Sequence, residues 1–102
     1  MRQHKPTNNE KATARVAAAV AKGCVVTAHN ALQREDTTVG PYSEAADRGV
    51  RFAVIGWKPD GAGEHRTRTA EEAAAAFVDR VGSTRAREAA IAAERKYAAW
   101  WN

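Results

Sequence analysis

The sequence predicts a small single-domain α+β fold: an N-terminal helix, an antiparallel sheet of about three strands and two C-terminal helices. Three observations carry that prediction. Residues 50–57 form an apolar, β-branched and aromatic run that a Pro-Asp-Gly turn and a basic run follow directly, the pattern of a hairpin. Thr7 with Glu10, and Thr69 with Glu72, each match the Thr-x-x-Glu capping box that opens a helix. Gly82-Ser83-Thr84 divides one long alanine-rich stretch into two helical segments.

Residues 1–6 show no periodicity and read as a flexible basic arm carrying Arg2 and Lys5, with residues 7–102 as the domain itself. The first helix starts at Thr7 and stops at Gly23, a residue suited to the left-handed conformation that ends helices. Its narrow apolar stripe is Ala12, Val16, Ala19 and Val20. Another face carries Lys11, Arg15, Ala18 and Lys22, three of them cationic.

Residues 24–29 then read as a short strand. Residues 30–36 fit either a helical turn or the tail of a strand, and residues 37–42 an edge strand that Pro41 cuts short. Residues 43–49 read as one or two helical turns between Ser43 and Gly49.

The run at 50–57 is apolar on both alternating faces apart from Arg51, as in a central strand covered on two sides. The return strand at 64–68, containing Arg66 and Arg68, is charged as an edge strand should be. In the next helix Ala70, Ala73, Ala74, Phe77 and Val81 share one face, with Phe77 as its anchor on the sheet. The last helix, from Thr84, places Ala86, Ala90, Ala93, Tyr97 and Trp100 on one side. Trp101 points about 100° away from Trp100.

Composition bounds the chemistry. Of 102 residues 24 are alanine and one is leucine, so the core depends on a few large side chains. Cys24 is the only cysteine, which excludes an internal disulfide and a thiolate-rich zinc site. No apolar leader or spanning stretch occurs, and a cytoplasmic setting is expected. The net charge of +4 is uneven: residues 1–23 carry +4, 24–49 carry −2, 50–69 carry +2 and 70–102 are neutral.

No catalytic constellation emerges. Asp60 and Glu64 flank a glycine-rich turn, Cys24, His29 and His65 match no zinc spacing, and Gly61-Ala62-Gly63 opens a strand, unlike a phosphate loop. The expectation is a non-catalytic protein with no cofactor and no metal.

The hairpin with its Thr69-Ala70-Glu71-Glu72-Ala73 helix start resembles the arm-type DNA-binding domain of tyrosine integrases. The helix–strand–strand–strand–helix order is also similar to the double-stranded RNA-binding domain, although Glu71 and Glu72 stand where that family has a lysine-rich motif. In size and character the chain resembles the small accessory proteins of bacteriophages and mobile elements, including anti-CRISPR inhibitors. That last resemblance implies a viral protein that inhibits or modulates a host nucleic-acid-targeting protein complex.

Two binding modes follow. In the first, an apolar anchor at Trp57, or at Trp100 and Trp101, seats on a host protein and a charged rim surrounds it. In the second, Lys58, Arg66 and Arg68 of the hairpin, with Lys11, Arg15 and Lys22 of the first helix, hold duplex nucleic acid. A homodimer through the alanine stripe of the last helix is a further expected association.

Overall fold

In the computed structural model of the chain, residues 5–30, 35–41, 52–56 and 63–101 are described. The order of elements is α1 (Asn8–Ala21), β1 (Val26–Asn30), β2 (Glu35–Pro41), β3 (Phe52–Gly56), β4 (Gly63–Thr67), α2 (Ala70–Val81) and α3 (Ser83–Trp101). The architecture is α+β, and the four strands form one antiparallel meander in the order β1-β2-β3-β4.

The local signals act as their chemistry requires. Thr7 Oγ1 accepts from the Glu10 amide at 3.1 Å, and Thr69 Oγ1 accepts from the Glu72 amide at 3.1 Å. Each supplies an acceptor for a helix N–H that has no partner within the helix. At α2 the pair closes differently from the full capping box: Thr69 Oγ1 donates to Glu72 Oε1 at 3.1 Å. Thr67 Oγ1 donates to the Thr69 carbonyl at 2.9 Å, which ties the end of β4 to the cap of α2.

At the other end of α1, Gly23 has φ +103°. Its amide donates to the Val20 carbonyl and the Cys24 amide to the Ala19 carbonyl, the paired bonds of a Schellman motif. Gly82 adopts φ 91° and ψ 154°, a region essentially confined to glycine. Its carbonyl accepts from Ala86 at 3.0 Å. α3 therefore starts at Ser83, one residue ahead of the position that the pattern predicts.

The sheet has four strands, one more than the about three expected. β2 takes in residues 35 and 36, which the pattern leaves between a helical turn and a strand, and it differs from expectation in role. The chain pattern marks residues 37–42 as an edge strand, whereas β2 is interior, paired to β1 through Val26↔Val39 and to β3 through Val39↔Val54. Thr37 and Val39 are buried on its inner side. Pro41 lacks a donor but occupies the last position of the strand, opposite Phe52, where a missing N–H is tolerated.

β3 is interior, as expected, but it is not covered equally on both sides. Val54 on its inner side is 4% exposed and Ile55 on its outer side is 41% exposed. The helical turns expected at 43–49 and the turn at 58–62 lie outside the described residues.

All three helices contribute to one core. α2 packs across β2, β3 and β4, α3 packs against β1, and α1 packs against both α2 and α3. Phe77 is fully buried, as are Val16, Val20, Val26 and Val39, and Ala12, Ala19, Ala73, Ala74, Ala86 and Ala90 are 0% exposed. Buried alanine loses no side-chain entropy and keeps helix surfaces close. It also contributes little transfer energy, which leaves Phe77 and the valines as the main apolar weight. The stripe of α3 that was a candidate dimer face thus packs, through Ala86 and Ala90, against the chain's own core.

Phe77→Ala is expected to destabilise the domain by about 3–5 kcal/mol, the range for removing a buried aromatic. A urea titration followed by circular dichroism checks this. A loss below about 1 kcal/mol would show that Phe77 does not hold the helices to the sheet.

Candidate binding surface

Antiparallel pairing puts directly opposed residues on one face of a sheet. The inner face is thereby assigned to Val26, Ala28, Thr37, Val39, Phe52, Val54 and Thr67. The outer face carries two rows across the strands: Thr27, Thr38, Ile55 and Glu64, and then Gly40, Ala53 and Arg66. His29 opposite Asp36 begins a third.

The outer face mixes polar and apolar side chains. Thr27 and Thr38 share a hydroxyl hydrogen bond of 3.0 Å, and His29 Nδ1 contacts Asp36 Oδ1 on two exposed side chains. Among the described residues Val25 and Ile55 are the exposed large hydrophobics, at 60% and 41% exposure. Val25 reaches this face because Gly40 has no side chain: a Cβ there would stand 3.3 Å from Val25 Cγ2. Both therefore lie on the outer side of the sheet, where Ala53 is only 5% exposed.

Beside this face, at the outer edge of β1, lies a cleft of about 530 Å³ lined by Gly23, Cys24, Val25, Thr27, Ala93, Lys96 and Tyr97. The C-terminal half of α3 forms its far wall.

The electrostatics of α1 differ from the sequence expectation. Arg15 Nη2 lies 3.6 Å and Lys22 Nζ 4.0 Å from Glu94 Oε2 on α3. Two of the three cations of the basic face thus share one carboxylate. Partly exposed pairs of this kind contribute about 0–1 kcal/mol, yet they lower the potential available to a polyanion. Lys11 stays exposed on α1.

The other residues singled out in the sequence are dispersed. Arg66 is exposed on β4, and Arg68 is exposed in the link to α2. Trp100 and Trp101 are the last residues of α3, and their side chains lie outside the described part of the structure, as do Trp57 and Lys58. Cys24 is buried before β1, while His29 and His65 are exposed on the two edge strands. No group of three His, Cys, Asp or Glu among the described residues is placed to hold a metal ion.

Pattern reading overlooked Val25, Ile55, Lys96 and Glu94. Ile55 carries no local signal, because residues 52–55 are apolar at every position. Glu94 meets α1 only through the tertiary packing of α3. Among the described residues no helix is long and apolar enough to cross a membrane.

Comparison with known proteins finds no relative: no family model, no curated protein and no solved structure matches the chain.

Cys24 reports on the charge cluster beside the cleft. Burial pushes its thiol pKa up, the Glu94 carboxylate raises it further, and Lys22 opposes them. Glu94→Gln should therefore lower the pKa and speed reaction with an aromatic disulfide at pH 8, because more thiolate is present. Lys22→Gln should slow it. An unchanged or slower rate in Glu94→Gln would contradict the arrangement.

Proposed function

We propose that the protein is a non-catalytic binding protein that inhibits or modulates a host nucleic-acid-targeting protein complex, and that it engages a protein surface through the outer face of its sheet. The observation that carries this reading is that Val25 and Ile55, the exposed large hydrophobics among the described residues, lie on the outer side of the sheet. Apolar side chains ringed by threonines and by His29, Asp36 and Arg66 have the composition of a protein contact, with an apolar centre and a polar rim. The class of partner comes from the chain's likeness in size and character to anti-CRISPR inhibitors.

Charge favours a protein partner over duplex nucleic acid. Arg15 and Lys22 share Glu94, and Asp36 stands on the same sheet face as Arg66. Duplex binders instead concentrate uncompensated cations along a surface, and their affinity falls steeply with salt.

The test combines inhibition and nucleic-acid binding. The protein should inhibit a purified RNA-guided interference complex. Val25→Glu combined with Ile55→Glu should raise the half-inhibitory concentration about tenfold or more, equivalent to about 1.4 kcal/mol, with an unchanged circular dichroism spectrum. Fluorescence anisotropy with duplex DNA and duplex RNA should show no salt-sensitive binding at micromolar protein. Absence of inhibition, or micromolar duplex binding that Arg66→Ala with Arg68→Ala abolishes, would overturn the reading.

A further inference from the structure

We infer that the cleft between the start of β1 and the C-terminal half of α3 is a small-molecule site for an aliphatic monocarboxylate, with the apolar body of the ligand against Val25 and Tyr97 and its carboxylate on Lys96. The inference goes beyond the protein contact proposed above and does not rest on it.

The walls of the cleft come from distant parts of the chain. Gly23, at φ +103°, turns the chain out of α1 into Cys24 and Val25, which with Thr27 supply one wall. α3 packs against β1 and supplies the other. Ala93, Lys96 and Tyr97 stand at i, i+3 and i+4, so they share one side of that helix. Between the walls lies about 530 Å³, within the range of ordinary ligand sites.

Most of the lining is apolar. Val25 leaves more than half of its surface in water beside the cleft, and covering such a side chain with an aliphatic body is favourable in proportion to the area removed from water. Ala93 and the half-buried Tyr97 continue that surface on α3. The Thr27 hydroxyl is already bonded to Thr38. Lys96 is exposed, and among the described residues no ion pair holds it.

Charge selects the head group. Glu94 stands two positions before Lys96, about 200° away around the helix, and lies on the side where Arg15 and Lys22 of α1 reach it. Among the described residues, no carboxylate lines the cleft, which presents one cation next to apolar surface. An aliphatic carboxylate matches both features. An alcohol of the same length would forgo the ion pair, and an amine would meet like charge.

The probes are octanoate, octanol and octylamine, titrated into the full chain to millimolar concentration. Binding is read from the backbone amide resonances of residues 23–27 and 93–97, and from the rate at which an aromatic disulfide modifies Cys24, which lines the cleft. Octanoate should shift both sets of amides saturably and slow the modification of Cys24, because the ligand occupies the space next to the thiol. Octanol should bind about threefold and octylamine about tenfold more weakly. Lys96→Glu, at an exposed position, should reverse the order of octanoate and octylamine. Ile55→Glu, outside the cleft, should leave octanoate binding unchanged.

Millimolar octanoate that moves none of these amides would overturn the proposal, as would equal binding of the three probes or an order indifferent to Lys96→Glu. Shifts centred on Thr38 and Ile55, with Cys24 unprotected, would also overturn it by placing the ligand on the outer face of the sheet. Failure here would leave the protein-partner reading intact, since that reading is tested by inhibition and duplex binding.

Discussion

The structure depends on the seating of α1 against α2 and α3 around Phe77. The three helices meet largely through alanine, so their backbones approach closely and dispersion contacts accumulate over many small groups. Phe77 and the valines at 16, 20, 26 and 39 provide the bulk that links this helical layer to the inner face of the sheet. The outer surface of the sheet is left with Ile55 and Val25 partly in water, which makes it available for contact.

The same packing distributes charge. Bringing α3 alongside α1 sets Glu94 within reach of Arg15 and Lys22, and a helix face that is cationic in isolation becomes partly neutralised in the fold. Lys96, two residues further along α3, is left at the rim of the cleft beside β1. The face of α1 that is cationic by sequence therefore carries less uncompensated charge in the fold than its composition implies. The electrostatic preference of the domain is thus a tertiary property.

How much of this was legible in the sequence follows from the range of each interaction. The caps at Thr7 and Thr69 and the stop at Gly23 were legible because each is settled within a few residues: a hydroxyl meets an amide three positions on, and a glycine adopts a positive φ. The inner stripes of α1 and α2 were legible from helical spacing. The interior role of β2 was not. Its charged start and its Gly-Pro end imitate an edge strand, and only pairing on both sides makes it central. Ile55 was equally opaque, because an unbroken apolar run does not reveal which of its faces the helices will cover.

The central claim is that α1, locked between the other two helices, is part of the global cooperative unit and not a peripheral helix. Native-state hydrogen exchange tests it directly, since amides that open only on global unfolding report the full stability and its full denaturant dependence. The amides of Val16, Ala19 and Val20 should exchange with the same free energy and the same denaturant slope as those of Val39 and Val54 in the sheet. Exchange of the α1 amides through a lower-energy, denaturant-insensitive opening would contradict the account.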